Sequence, residues 1–189
     1  MMRRAVFLDR DGVVNRVSVR NGKPFPPVVR SDLRLLPGVR EACGDLREAG
    51  FVLILVTNQP DIARGRADER EIRSMNSYLR RYLQLEDVKV CPHDDDAGCE
   101  CRKPKPGMLL EAARHWDIDL GASYFIGDRW RDIEAGQRAG CHPVFIDYGY
   151  RERRPSAPYR RVRSLSEAAS WIIKATLARS GRKEALCHA

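Results

Sequence analysis

The chain has 189 residues, of which 43% are apolar and 32% charged, enough to bury the core of one domain and too apolar for a disordered chain. Lys and Arg number 34 against 26 Asp and Glu, and the net charge of +8 favours anionic partners: phosphorylated metabolites, nucleic acid or a membrane surface. No apolar run approaches the roughly 20 residues of a membrane-spanning helix. The opening MMRR leads into a strand-like run rather than a signal peptide, so a cytoplasmic protein without a membrane anchor is expected.

Residues 5–8 (AVFL) read as a short buried strand ending in charge. Residues 13–29 break the rhythm, and Asn21-Gly22 between β-prone pieces predicts a small hairpin flap. Val39, Ala42, Leu46 and Ala49 recur at helical spacing until Gly50 stops them. Residues 51–56 (FVLILV) are continuously apolar, as a central parallel strand requires. Asp68 with Glu71 looks like a capping box, opening a helix whose face is Ile72, Met75, Leu79 and Tyr82. Residues 88–90 are a short strand. Met108, Leu109, Ala112, Ala113 and Trp116 form the next helical stripe.

Residues 124–126 are a strand stopped by Gly127, residues 133–139 are helical, and residues 144–146 make a last strand. Ser164 with Glu167 caps a helix through Leu165, Ala168, Ile172 and Ala175. This alternation predicts one α/β domain over residues 1–178, a doubly wound Rossmann-like parallel sheet with helices on both faces. Residues 151–163 hold six arginines and two prolines and read as a solvated loop, with a phosphate-facing patch as the alternative. The tail over 179–189 is expected to fray.

In such a sheet, ligands bind outside the carboxyl ends of the strands. There the sequence places Asp9-Arg10-Asp11-Gly12, Thr57-Asn58 and Gly127-Asp128, with Asp132 four residues on. Asp9, Asp11 and Asp128 in one crevice would repel one another unless a cation neutralised them, and hard oxygen ligands suit Mg²⁺. Of Asp9 and Asp11, one can attack phosphorus and the other can shuttle the proton. Asp128 would bind metal, and Asp132 would orient it from behind. Thr57 offers a hydroxyl to phosphate oxygens. Arg102, Lys103 and Lys105 stand on a proline-stiffened loop where a fixed lysine could balance phosphate and carboxylates, a solvated basic loop being the plainer reading.

Cys91, His93, Cys99 and Cys101 fall within 11 residues, a donor set for a closed, structural Zn²⁺ site in a loop over 91–101. Such a site would pin the acidic stretch Asp94-Asp95-Asp96 and hold Arg102 and Lys103 over the crevice. Cys43, Cys141 and Cys187 are isolated and read as buried structural thiols.

DRDG, VTNQ, RKPKPGM and GDRWRD, in this order, resemble the four signature motifs of the haloacid dehalogenase superfamily of phosphatases. The Cys-x-His and Cys-x-Cys pairs before RKP are similar to its small subgroup without a large cap domain, whose members act on heptose bisphosphate or histidinol phosphate. The resemblance spans roughly residues 5–147 and implies that Asp9 is the nucleophile and Asp11 the general acid/base. It implies that Asp9, the Asp11 carbonyl and Asp128 hold Mg²⁺, and that Thr57 and Lys103 bind the transferring phosphoryl group. Asn58, Arg102 and Arg129 would contact substrate.

The implied partner is a small phosphorylated metabolite and the implied state a monomer. Ile62-Ala63-Arg64-Gly65 and Lys105-Pro106-Gly107-Met108 favour heptose bisphosphate. Pro60-Asp61 stands where Ser-Gly is expected, and the flap lacks the Asp and Gly-Tyr pattern of sugar contacts. Histidinol phosphate or another phosphomonoester is the second reading. A nucleic-acid 3′-phosphatase is a third, drawn from the charge and from Trp130, Tyr148, Tyr150 and Tyr159 near arginines. A non-catalytic zinc-stabilised binding module would need a broken acid pair, and both Asp9 and Asp11 are present.

Overall fold

The computed structural model describes residues 2–187, with side chains through residue 178. Its sheet has six parallel strands, side by side in the order Asp87–Cys91, Phe51–Asn58, Arg4–Leu8, Tyr124–Gly127, His142–Ile146 and Arg160–Val162. The elements run β1 (Arg4–Leu8), β2 (Ser18–Arg20), β3 (Lys23–Phe25), α1 (Val39–Glu48), β4 (Phe51–Asn58), α2 (Glu69–Leu83) and β5 (Asp87–Cys91). They continue with α3 (Gly107–Trp116), β6 (Tyr124–Gly127), α4 (Trp130–Ala139), β7 (His142–Ile146), β8 (Arg160–Val162) and α5 (Leu165–Cys187).

The central strands are apolar throughout because both of their faces are buried. Val6 and Leu8 of β1 face a core built with α1, α2 and α5. Ala5 and Phe7 face the opposite core, built with α3 and α4. On that side Phe7 meets Phe125 edge to face, ring centres 6.5 Å apart. The doubly wound sheet expected from the sequence is therefore present. No helix among the described residues is long and apolar enough to cross a membrane.

The flap is a two-stranded antiparallel hairpin, β2-β3. Asn21 (φ 51°) and Gly22 (φ 75°) make its turn, and only residues that tolerate positive φ fit there.

Four expectations need correction. Residues 144–146 are not the last strand, because β8 pairs with β7 inside the segment expected to be a loop. The box at α2 is not reciprocal: the Asp68 carboxylate accepts from Arg70 N at 2.7 Å, while Glu71 accepts from Arg30 N at 2.6 Å and so ties down the chain after the flap. Tyr82 is 38% exposed and stacks on Tyr78, and Leu83 takes the buried place. At α5, Ser164 Oγ accepts from Glu167 N as expected, at 3.2 Å, but the Glu167 carboxylate reaches Arg163 N at 2.9 Å. The frayed tail and Cys187 fall outside the described side chains; Cys43 and Cys141 are buried.

Candidate active site

β4 and β6 flank β1 on its two sides: after β1 the chain winds outward through β4 and β5 on one side, then crosses back to β6, β7 and β8 on the other, and a crevice opens beyond the end of β1 where the winding reverses. A cavity of about 560 Å³ occupies that crevice; Asp9, Asp11, Asn58, Lys103, Asp128 and Arg129 are part of its wall.

Three buried carboxylates meet there. One oxygen each of Asp9, Asp128 and Asp132 lie within 4.8 Å of one another. Lys103 Nζ enters from the α3 side, 2.7 Å from Asp9 Oδ1, 2.7 Å from Asp132 Oδ1 and 2.9 Å from the Val56 carbonyl. One buried ammonium does not balance three buried carboxylates. Burial therefore pushes the Asp9 carboxyl up to about 7, against the opposing pull of Lys103. Burial, then Asp9 and then Asp132, push Asp128 well above the usual carboxylate range. Neither Asp128 oxygen has a hydrogen bond of sound geometry, although the Tyr150 phenol is close enough to lower its pKa. An excess of buried negative charge with two orphaned oxygens fits a divalent cation held by oxygen ligands. Asp132 lies beside the Asp9 and Asp128 oxygens, anchors Lys103, and its Oδ2 accepts from Arg129 N at 3.0 Å.

Gly12 makes room for this cluster. Its φ is +91°, and a Cβ there would lie 1.9 Å from Asp128 Oδ2. Gly12→Ala is expected to cost at least about 1–2 kcal/mol from backbone strain alone. It should also displace Asp128 and raise the Mg²⁺ concentration needed for half activity by about tenfold or more, roughly 1.4 kcal/mol. Denaturant unfolding and Mg²⁺ titration check both; an unchanged metal requirement would contradict the placement.

Asp11 stands beside this trio, not in it. Fully buried Arg10 grips its carboxylate through Nε at 3.1 Å and Nη2 at 3.0 Å, and Arg10 Nη1 reaches Asn76 of α2 at 3.2 Å. Asn15 Nδ2 and Gln59 Nε2 donate to the two Asp11 oxygens at 2.9 and 2.8 Å. Gln59 also donates to Thr57 Oγ1 at 2.8 Å. Thr57 is buried at the end of β4, while Gln59 is on the cavity wall. Asn58 clasps the backbone of Lys103, accepting from its N and donating to its O, each at 3.1 Å. Its amide thus locks the lysine loop to β4. Residue type alone does not single out Arg10, Asn15 and Gln59. Their signal in the sequence is only adjacency to Asp11 and Thr57.

Cys91, His93, Cys99 and Cys101 gather their donor atoms. Cys101 Sγ lies 3.2 Å from Cys91 Sγ and 3.4 Å from Cys99 Sγ, and His93 Nδ1 is 3.3 Å from Cys101 Sγ. Four donors about 2.0–2.3 Å from one Zn²⁺ would stand roughly 3.3–3.8 Å apart, so the set fits a closed tetrahedral site. The loop also orders arginines at the cavity mouth. Asp95 pairs with Arg102 Nε at 2.8 Å and with Arg131 Nη1 at 3.1 Å, and Asp94 pairs with Arg64. Metal analysis is expected to find about one zinc per chain, and Cys101→Ser to lose it together with most of the activity. A metal-free protein of native stability and activity would contradict this.

The four aromatic residues near arginines do not form one stack. Tyr159 packs on Phe145, Tyr148 on Tyr150, and Trp130 has the Arg131 and Arg153 guanidinium groups 4.7 and 4.6 Å from its ring centre. Nor is the arginine segment simply solvated, since Arg153, Arg154 and Arg161 pair with Glu134 and Asp147.

Comparison with known proteins agrees with this architecture. A family model described as HAD-hydrolase-like matches residues 100–168. A D-glycero-β-D-manno-heptose-1,7-bisphosphate 7-phosphatase of Pseudomonas aeruginosa is 37% identical over 154 residues, 79% of this chain and 84% of the relative. The enzyme of that name from Escherichia coli K12 is 32% identical over 181 residues, 89% of this chain and 87% of the relative. The crystal structure of D,D-heptose 1,7-bisphosphate phosphatase from B. bronchiseptica with magnesium and phosphate superposes with a TM-score of 0.79. It is 31% identical, with 90% of this chain and 98% of that chain covered.

Proposed function

The chain belongs to the haloacid-dehalogenase-like phosphatases, and on that premise we propose that it removes the 7-phosphate of D-glycero-β-D-manno-heptose 1,7-bisphosphate through an aspartyl-phosphate on Asp9. The observation that carries the chemistry is the contact of Asp9 Oδ1 with Lys103 Nζ, beside orphaned Asp128, at the floor of the switch-point cavity. The sugar rests on the names of relatives that match most of the chain.

Lys103 fixes the Asp9 carboxylate through one oxygen and leaves the other to attack phosphorus. The new bond joins Asp9 to phosphorus, and the bond from phosphorus to the sugar oxygen breaks. Asp11 gives its proton to that oxygen and then takes one from the water that attacks the aspartyl-phosphate. Phosphate leaves and the Asp9 carboxylate returns. Gln59 and Asn15 keep Asp11 beside the reaction, and Asn58 keeps Lys103 there. The Thr57 hydroxyl and the Lys103 ammonium would meet the phosphoryl oxygens as charge develops on them. Mg²⁺, held by Asp9, Asp128 and the Asp11 carbonyl, would supply the charge screening that lets an anionic phosphoryl group approach a carboxylate. Zn²⁺ on the cysteines and His93 would stiffen the mouth. Arg102 and Arg129 would recognise the remainder of the substrate.

Phosphate release is the test, with Mg²⁺, from both anomers of heptose 1,7-bisphosphate, from histidinol phosphate and from a 3′-phosphorylated oligonucleotide. Asp9→Asn serves as the blank. The expected result is a preference for the β anomer of the heptose by about a hundredfold in kcat/KM, roughly 2.7 kcal/mol. A flat profile, or a preference for histidinol phosphate or the oligonucleotide, would overturn the assignment of the sugar.

A further inference from the structure

Residues 149–163, which run from the end of β7 into β8, form a strap anchored at several points. Arg161 and Arg154 both pair with nearly buried Asp147, the first at 2.8 Å, and Arg153 pairs with Glu134 of α4. On the other side Arg151 N donates to the Gly22 carbonyl at 2.8 Å, so the strap also grips the turn of the flap. That contact is close: a Cβ on Gly22 would lie 2.6 Å from Arg151 Cγ.

Glu152 sits between these anchors. Its two carboxylate oxygens accept from Arg129 Nε at 2.8 and 2.7 Å, and one of them also takes Arg129 Nη2. This is a two-oxygen grip on one edge of a guanidinium, the geometry that best fixes an arginine. Glu152 is only 17% exposed and is not on the cavity wall, whereas Arg129 is on it, next to Asp128. The grip leaves Nη1 out of the pair.

We infer that Glu152 is a positioning residue for substrate recognition, holding Arg129 ordered at the cavity wall before the substrate arrives. The inference rests on the reading that Arg129 faces the part of the substrate beyond the transferring phosphoryl group. An arginine on a mobile side chain loses its rotamer freedom on binding, and one already clamped has lost it on folding, so binding is tighter. The strap is what makes the clamp possible, because a lone glutamate on a free loop would be no better ordered than the arginine.

The test is a double-mutant cycle with Arg129→Ala, read on the best substrate of the panel. Glu152→Ala should raise KM by about tenfold and change kcat by less than about threefold. In the Arg129→Ala background it should move KM by less than about twofold, because the residue it positions is gone. The inhibition constant of inorganic phosphate, which fills only the transferring position, should stay unchanged in all four proteins. Glu152→Gln keeps the shape and loses the charge, and it should fall between. It also serves as the readable variant if Glu152→Ala does not fold. An unchanged KM, a lowered KM, or an equal rise in both backgrounds would overturn the inference. A best substrate other than the heptose would sink the sugar assignment alone and leave this cycle readable.

Discussion

Asp9→Asn is expected to lower turnover by about ten-thousand-fold or more while leaving the fold intact. The magnitude follows from removing the atom that bonds to phosphorus, since losing a nucleophile costs on the order of 10⁴–10⁶ in kcat. Survival of the fold follows from the surroundings. Burial pushes the Asp9 carboxyl up to about 7, so the metal-free fold gains little from its negative charge at neutral pH. Asparagine keeps the shape, and Lys103 keeps Asp132 and the Val56 carbonyl as partners. The melting temperature should move by only a few degrees, the shift that about 1 kcal/mol produces in a domain of this size. Activity within tenfold of the native enzyme would remove Asp9 from the role of nucleophile.

Lys103→Met is expected to damage both stability and rate. The Lys103 side chain is 3% exposed, and Asp132 and Asp9 hold its pKa above the usual lysine value, against burial. Without it, buried Asp9 and Asp132 lose their common counter-ion, a change that typically costs about 3–5 kcal/mol. The rate should fall by about a hundredfold or more as a cation is lost from the phosphoryl site. Arginine should not rescue it, because a planar fork does not fit three acceptors grouped around one nitrogen. Asp132→Asn combined with Lys103→Met should destabilise by less than the sum of the single changes, because each removes the same ion pair. Denaturant midpoints and steady-state rates check both statements; strict additivity would contradict the coupling.

The reach of the sequence differed from element to element. β1, β4 and β6 were legible because strands buried on both faces carry continuous apolar runs, and their polar ends located the crevice. The zinc ligands were legible because their spacing is local. β8 was not: only Val162 of its three residues is buried, and Arg161 is held by Asp147, far from any apolar pattern. Glu152 was hidden for a related reason. One acid in a run of arginines reads as solvated, and its partner Arg129 lies 23 residues away. Tyr82 has helical periodicity, but the neighbour that stacks on it, Tyr78, takes the half-buried place against the core and leaves Tyr82 at the surface. The spacing of Asp132 from Asp128 in sequence is enough to put it near the metal ligands, where the structure has it. Its tie to Lys103 needed the fold, which brings the loop before α3 against the start of α4.

The most direct measurement is a rapid-quench single turnover with substrate carrying labelled phosphate at the 7 position, followed by acid trapping and peptide mapping. Transient label is expected on the peptide containing Asp9, rising before free phosphate appears, with no label in Asp9→Asn. Phosphate released with no covalent phase, or label on another residue, would contradict the aspartyl-phosphate on Asp9.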